Sequence, residues 1–182
     1  MNTPPIAPLG IDRRLTGPIH RLVLGPLDYF WALPGTAFGT YAMPITMALV
    51  GLWLGWKVLV VGVAASLVTV SITQALKHTI GRDRPAPLLA RRRVKLRSLV
   101  KNPSFPSGDS AQAGVVSFLV MWHGPFQDDR AYLFLIPLPL CMFARIYFGA
   151  HWIGDTLAGA AIGAGVMAGV HFAALQIPGF LA

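Results

Sequence analysis

The sequence predicts an all-α fold, a polytopic membrane helical bundle of about five to six transmembrane helices. Two observations support this fold class. The 182 residues are 54% hydrophobic and only 12% charged, which is typical of a membrane protein rather than of a soluble domain of this size. Several apolar runs also approach the roughly 20 residues that a helix needs to cross the hydrocarbon core. We therefore expect one membrane-embedded bundle with any active site at the membrane interface.

Two parts of the chain are predicted to differ in their relation to the membrane. Residues 1–30 form an N-terminal interfacial segment, and residues 31–182 form a single membrane-embedded domain. The stretch from residue 15 to residue 30 mixes charged with apolar side chains and is interrupted by Gly25 and Pro26. This mixture favours an interfacial helix over a span.

Five apolar segments are predicted to form the bundle. They cover residues 36–54, 58–76, 110–122, 131–148 and 156–175. The third segment is short and carries Gln112 and Ser117, so we expect it to lie inside the bundle rather than against lipid. The fifth segment contains four glycines at a spacing that lets helix backbones approach closely. These are Gly159, Gly163, Gly165 and Gly169.

Basic residues outnumber acidic residues by 15 to 7 and cluster outside the apolar segments. This distribution suits membrane lipids or phosphate as partners. It does not favour nucleic acid, because the basic residues lie between membrane segments rather than along an exposed domain. The loop between residues 80 and 106 could recruit an anionic headgroup, but a basic loop at a membrane is more often an anchor or topology signal, and we interpret it so. Its basic residues beyond the candidate site are Arg82, Arg91, Arg92, Arg93, Lys95, Arg97 and Lys101.

Three polar clusters lie at the ends of apolar segments, and tracing the helices back and forth places all three on one side of the membrane. They cover residues 77–85, 106–109 and 145–155. Lys77, Arg84 and Arg145 supply three cations. Ser107 and Gly108 begin a helix, whose free backbone N–H groups favour an anion. Together these residues predict a site that binds phosphate, since guanidinium groups bind phosphate oxygens in pairs.

A histidine and an aspartate complete the candidate site. His151 and Asp155 are four residues apart, so in a helical turn they share one face. The carboxylate can then orient the imidazole and stabilise its cationic form, as a nucleophilic histidine requires. The accompanying cations, and the lack of further His, Cys or Glu residues nearby in the sequence, argue against a metal site. We expect neither a metal nor a cofactor.

Three sequence segments carry a family resemblance. The chain reads KHTIGRDRP at Lys77–Pro85, PSGD at Pro106–Asp109 and RIYFGAHWIGD at Arg145–Asp155. These segments resemble the motifs KxxxxxxRP, PSGH and SRxxxxxHxxxD of the type 2 phosphatidic acid phosphatase family. The first motif matches fully, and the third keeps every spacing but has Ala144 in place of serine. Motif order, separation and placement at helix ends agree over roughly half the chain.

The resemblance implies an integral membrane lipid phosphatase, with residues 31–182 as its phosphatase domain. Five residues would hold the phosphoryl oxygens: Lys77, Arg84, Arg145, Ser107 and Gly108. His151 would attack phosphorus with Asp155 behind it, giving a phosphohistidine that water hydrolyses without a metal. The substrate would be a lipid phosphate or diphosphate of the polyprenyl diphosphate, phosphatidic acid or phosphatidylglycerophosphate class. A lipid phosphotransferase, which passes the phosphoryl group to an acceptor hydroxyl, is an alternative.

Asp109 departs from the family pattern, because the family has at this position a histidine thought to protonate the leaving group. Asp109 followed by Gln112 also has the spacing of a helix N-cap and its reciprocal partner, and the cap and catalytic roles are compatible. Nearby cations favour the carboxylate form, which leaves little general acid. One hypothesis is a lipid diphosphate substrate, whose leaving phosphate needs less protonation. The other is a catalytically impaired, lipid-binding relative.

The orientation in the membrane follows from charge counting. With five spans, every Lys and Arg except Lys57 and Arg130 lies on the side of the three clusters. The positive-inside rule then favours an active site that faces the cytoplasm, in the plasma (inner) membrane. Family members commonly face outward, so the two arguments conflict and the cytoplasmic side is only slightly favoured. The oligomeric state is not determined by the sequence.

Overall fold

A computed structural model describes residues 9–85 and 102–181, and the regular elements in this part of the chain are all helical. The α-helices are α1 Gly10–Arg21, α2 Leu27–Thr36, α3 Met43–Leu54, α4 Trp56–Ile80, α5 Gly108–His123, α6 Pro137–Tyr147 and α7 Ile153–Leu175, with a 3-10 helix over Asp129–Leu135 before α6. The all-helical prediction is confirmed. The basic residues between positions 91 and 101 lie outside the described residues.

Within residues 9–85 and 102–181, three helical stretches are long and apolar enough to cross a membrane. They are α4 with 25 residues, the stretch Asp129–Tyr147 with 19, and α7 with 23. Helix α3 has only 12 residues and rises about 18 Å, less than the roughly 30 Å hydrocarbon core. The prediction of one continuous span over residues 36–54 was therefore wrong.

The break in that segment has a local cause. Helix α2 ends at Thr36 and α3 starts at Met43, where Pro44 stands in the first turn. Proline favours this position, because its missing N–H has no helical partner there and its ring fixes φ. The Thr46 hydroxyl donates a hydrogen bond of 2.9 Å to the Ala37 carbonyl oxygen, which closes the turn between the two helices.

Helix α5 lies at the centre of the bundle and packs against α4, α6 and α7. Ala111, Val115 and Leu119 have no exposed surface, and the Gln112 side chain donates a 3.0 Å hydrogen bond to the Ser66 carbonyl oxygen on α4. The prediction that this short segment lies inside the bundle is confirmed. Its polar side chain bonds a neighbouring helix instead of facing lipid.

Two of the four predicted packing glycines bring α7 against α5. A Cβ atom at Gly159 would overlap the Ser107 carbonyl oxygen, and one at Gly163 would overlap that of Ala111. Only glycine fits at these points. Gly165 and Gly169 have no neighbour within 4 Å of a built Cβ, so the packing prediction was wrong for them.

The N-terminal helices are divided at the predicted point, since α1 ends before Gly25, which has a φ of 60°. Helix α1 buries Asp12, Thr16 and His20, each one turn from the next, whereas its apolar residues Ile11 and Leu15 are exposed and Ile19 is only partly buried. This inverted arrangement suits a helix whose outer face meets lipid. The interfacial location of residues 1–30 remains a prediction.

The ends of four helices meet at one end of the bundle. Helices α4 and α6 end there, and α5 and α7 begin there. The Ser107 backbone N–H donates a 2.9 Å hydrogen bond to the Asp155 carbonyl oxygen, which joins the first turns of α5 and α7. The predicted convergence of the three polar clusters is therefore confirmed.

Candidate active site

A polar cavity of about 300 Å³ opens at this end of the bundle. Six of the eight predicted site residues line it: Lys77, Arg84, Gly108, Asp109, Arg145 and His151. The other two predicted residues, Ser107 and Asp155, are fully buried behind the wall. The structure therefore brings the predicted residues together in two layers, one that lines the cavity and one that supports it.

His151 lies in the loop between α6 and α7 and is only 2% exposed. Its Nδ1 is 2.8 Å from the Ser104 carbonyl oxygen. A carbonyl oxygen only accepts, so Nδ1 donates and Nε2 keeps a lone pair. Nε2 is 3.4 Å from Nη1 of Arg84, which also lines the cavity. The nitrogen with nucleophilic character is therefore next to a cation of the cavity wall.

Electrostatics favour the neutral form of His151. Burial lowers the pKa of His151 well below its ordinary value, and the positive charges of Arg145, Arg84 and Lys77 lower it further. The ring is consequently unprotonated near neutral pH, as any nucleophilic role of the histidine would require.

Asp155 supports His151 from behind, although less directly than the sequence predicted. Its Oδ2 lies 3.6 Å from Nδ1 of His151, beyond a good hydrogen bond, and accepts the Trp152 backbone N–H at 2.9 Å. The Ser104 carbonyl therefore orients the ring, and the Asp155 carboxylate supplies negative charge close to it.

Arg82 belongs to this buried layer. Its Nη1 donates to Oδ1 of Asp155 at 2.7 Å, and its Nη2 pairs with Oδ2 of Asp12. Arg82 is only 6% exposed, so its interpretation as part of a membrane anchor or topology signal was wrong. A buried guanidinium requires carboxylate partners, and here two carboxylates share it.

Backbone carbonyl groups position two of the three predicted phosphate-binding cations. Arg84 Nε donates to the Asn102 carbonyl oxygen at 2.9 Å, and its Nη1 donates to that of Ala150 at 2.7 Å. Lys77 Nζ donates to the Pro103 carbonyl oxygen at 3.2 Å. These bonds fix the cations without neutralising them, because the acceptors carry no formal charge.

Arg145, the third cation, has a charged partner. Its Nη1 lies 2.9 Å from Oδ2 of Asp109 and also donates to the Gly35 carbonyl oxygen at 3.0 Å. Its Nε is buried and has no hydrogen-bond partner among the described residues. Because a buried donor without an acceptor is costly, this nitrogen is a candidate contact for an anion.

The start of α5 corrects one prediction and confirms another. Ser107 is the N-cap, and its hydroxyl accepts the Ser110 backbone N–H at 3.3 Å. Ser107 and Gly108 therefore open the helix as predicted. The prediction of an Asp109 N-cap was wrong, because Asp109 lies one residue inside the helix and bonds Arg145, while the side-chain NH₂ of its supposed partner Gln112 bonds α4.

An apolar groove of about 480 Å³ adjoins the cavity between α3 and α4. Its apolar lining includes Met43, Met47, Leu59, Val63, Leu67 and Val70. Gly108 and Asp109 line both spaces. Asp109 therefore stands where the cationic cavity meets the apolar groove.

Sequence reasoning missed three contributors to the site. Arg82 falls inside the first motif segment, so its position between Lys77 and Arg84 was an available signal. Asp12 carried no signal, because it lies 70 residues from Arg82 in the chain. The Ser104 contact is made by a backbone carbonyl, which every residue type possesses.

The fold and the cavity define an integral membrane protein, all-helical over the described residues, with a strongly cationic pocket at one end of its bundle. A family model described as the PAP2 superfamily matches residues 55–176 of the 182. The chain therefore belongs to the PAP2 superfamily, as the three motif segments predicted.

Two curated relatives are lipid A 1-phosphatases from two strains of Helicobacter pylori. They are 33% and 35% identical to this chain over 102 and 103 residues, or 56% of the chain in both cases. The matched region spans about half the length of these relatives, 48% of each.

Two solved structures share the fold. The crystal structure of Aquifex aeolicus LpxE has a TM-score of 0.77 at 21% identity and covers 93% of this chain and 99% of its own. The PAP2-type phosphatidylglycerolphosphate phosphatase of Bacillus subtilis has a TM-score of 0.75 at 20% identity and covers 93% and 87%. At these identities the similarity concerns the fold.

Proposed function

We propose that the protein is an integral membrane lipid phosphatase that works through a phosphohistidine on His151. One observation carries this proposal. Nε2 of His151 keeps its lone pair and lies in a cavity whose wall holds Lys77, Arg84 and Arg145. Three cations around a neutral nucleophile suit a phosphoryl group, whose negative charge they balance.

The proposed reaction has two steps. In the first, His151 Nε2 bonds to phosphorus, the bond from phosphorus to the leaving oxygen breaks, and that oxygen takes a proton from water. In the second, water attacks the phosphohistidine, the P–N bond breaks and inorganic phosphate leaves. Asp155 offsets the positive charge of the phosphorylated imidazole. No step of this proposal requires a metal or a cofactor.

Asp109 is proposed to lie beside the leaving group. It stands at the junction between the cavity and the groove, where the oxygen that joins phosphate to lipid would pass. Its ion pair with Arg145 would open when phosphate arrives, because phosphate offers Arg145 a more highly charged partner. A leaving group that needs little protonation, such as the phosphate of a lipid diphosphate, remains the hypothesis for the substrate.

The apolar groove is proposed to hold the lipid portion. It opens between two apolar helices and ends at the cavity, so a chain lying in it would direct a phosphate toward His151. Burial of the chain would contribute to binding by the hydrophobic effect. The names of the curated relatives add a lipid A 1-phosphate to the candidate substrates.

The test is phosphate release by the detergent-purified protein with EDTA present. The substrates are polyprenyl diphosphate, phosphatidic acid, phosphatidylglycerophosphate and lipid A. We expect release that survives EDTA, disappears in His151→Ala and is fastest with the diphosphate. Equal rates with phosphatidic acid would contradict the diphosphate hypothesis. Product analysis with an added acceptor hydroxyl separates a hydrolase from a phosphotransferase.

The Asp109→His variant distinguishes an active enzyme from an impaired relative. It restores the histidine of the family motif at the junction of cavity and groove. Release by the native chain supports the proposal. If only Asp109→His releases phosphate, the native protein binds lipid without cleaving it.

The cavity is proposed to face the cytoplasm from the plasma (inner) membrane, on the charge argument. Cys141, the only cysteine, is buried, so single cysteines can be introduced at Thr79 on the cavity end and at Arg130 on the other end. An impermeant thiol reagent applied to intact cells should label Arg130→Cys alone. Labelling of Thr79→Cys alone would reverse the orientation.

A further inference from the structure

Helix α1 supplies one carboxylate to the buried layer behind His151. Asp12 is 4% exposed; its Oδ2 pairs with Arg82, and its Oδ1 accepts the Gly154 backbone N–H at 2.9 Å. Arg82 in turn bonds Asp155. The chain of contacts therefore runs from α1 through Arg82 and Asp155 to His151.

The start of α7 is shaped to receive Asp12. A Cβ atom at Gly154 would lie 2.8 Å from Asp12 Oδ1, so a larger residue would displace the carboxylate. One turn along α1, the Thr16 hydroxyl accepts the Ile153 backbone N–H at 3.2 Å. Two side chains of α1 thus satisfy N–H groups in the first turn of α7, where a negative charge is also favoured.

Asp12 also sets the net charge of the buried group formed by Asp12, Arg82 and Asp155, called the trio below. Arg82 carries one positive charge, and Asp12 and Asp155 carry two negative charges in their paired forms, so the trio has a net charge of −1. Without Asp12, Arg82 would neutralise Asp155 and the trio would have no net charge.

This extra negative charge lies close to a ring surrounded by cations. The groups that act on His151 from the other packed elements are Lys77 on α4, Arg84 after it, Asp109 on α5 and Arg145 on α6. Three of these four are positive and only Asp109 is negative, so the Asp155 carboxylate, 3.6 Å from Nδ1 of His151, adds negative charge close to an imidazole that becomes cationic.

We propose that Asp12 is a positioning residue of the phosphoryl transfer, acting through Arg82 to preserve the negative charge of Asp155 behind His151. This inference rests on the proposed function. It makes the N-terminal helix part of the catalytic apparatus, although Asp12 does not line the cavity. Asp12 should consequently affect turnover rather than substrate binding.

The Asp12→Asn variant tests this role while keeping the shape of the side chain. Loss of the negative charge disfavours the cationic ring, so His151 protonates at lower pH. The acidic limb of the kcat/KM profile should move down by about one pH unit. We expect kcat to fall about tenfold, as for outer-layer partners of functional histidines, with KM within about twofold of the native value.

Two matched variants on the same helix separate charge from docking. Thr16→Val removes a bond between α1 and α7 but leaves the charge of the trio, and Arg13→Gln changes an exposed side chain. In both variants the acidic limb of the kcat/KM profile should stay at its native pH. Arg13→Gln should also keep the native kcat. Thermal unfolding of each purified variant in detergent monitors folding.

The outcomes distinguish this inference from the proposed function. If Asp12→Asn behaves like Arg13→Gln, or loses activity with the native pH limb retained, the positioning role is wrong. If the native protein releases no phosphate, or His151→Ala still releases it, the proposed function itself fails. The inference is supported if Asp12→Asn alone moves the acidic limb of the kcat/KM profile to lower pH and leaves KM unchanged.

Discussion

Two arginine–aspartate pairs flank His151, and they differ in burial and in bonding. The Arg82–Asp155 pair behind the ring spans 2.7 Å, with side chains 7% and 0% exposed. The Arg145–Asp109 pair in front spans 2.9 Å, with side chains 11% and 21% exposed. The rear carboxylate also accepts a backbone N–H, whereas the front arginine keeps a nitrogen without a partner among the described residues. The rear pair is therefore the more completely bonded of the two, and we expect the front pair to open when an anion binds.

Asp155→Asn should have the largest effect, because it removes charge from the fixed pair. We expect kcat to fall by about 100-fold or more, since the phosphorylated imidazole loses its nearest negative charge. The free energy of unfolding should also fall, by about 1–3 kcal/mol, because Arg82 loses one buried hydrogen-bond partner but remains paired with Asp12. Phosphate release and denaturant unfolding in detergent measure the two quantities. A variant with native kcat would show that the rear pair serves folding alone.

The second-largest expected effect is the pH dependence of phosphate release by the native protein. The pKa of His151 is lowered by burial and by neighbouring cations, so the ring loses its proton below the ordinary histidine value of about 6.5. The kcat/KM profile should therefore stay flat as pH falls through 6.5 and then drop about tenfold per unit below the lowered pKa. If kcat/KM already falls at pH 6.5 or above, burial and the neighbouring cations do not lower the pKa of His151 as described.

Asp109→Asn should have a smaller effect, and that effect should be a gain. The variant should bind inorganic phosphate more tightly than the native protein. The substitution releases Arg145 from its partly exposed partner, so inorganic phosphate should inhibit about two- to fivefold more strongly. The control is Asp155→Asn, whose carboxylate does not line the cavity, and its inhibition constant should stay near the native value. Weaker inhibition in Asp109→Asn would show that the front pair organises the phosphate site instead of competing for it.

The layer that lines the cavity could be predicted from the sequence, because its residues follow from local features. Apolar runs predict where helices end, and Lys77, Arg84, Asp109, Arg145 and His151 lie at or next to those ends. Alternating helix direction then brings the ends to one side of the membrane. Six of eight predicted residues line the cavity for this reason.

The supporting layer depends on tertiary contacts that no local pattern encodes. The position of Arg82 between Lys77 and Arg84 places it near the site, but its burial depends on Asp12 approaching from another helix, which the sequence does not indicate. The spacing of Asp109 and Gln112 fits an N-cap, yet Ser107 takes that position. A carboxylate near a helix start has several possible partners, and packing of α6 beside α5 selects Arg145.

An exposed arginine–aspartate pair at the far end of the bundle serves as a reference for the two pairs near His151. Arg130 and Asp128 lie 2.8 Å apart with side chains 64% and 55% exposed, and hydrogen bonds from Arg130 lower the pKa of Asp128. A lowered carboxyl pKa contributes stability above the ordinary value, which is lost as pH falls through the lowered pKa. Water screens this pair, so Asp128→Asn should leave kcat and Tm unchanged. A Tm loss as large as that of Asp155→Asn would show that burial does not rank the three pairs.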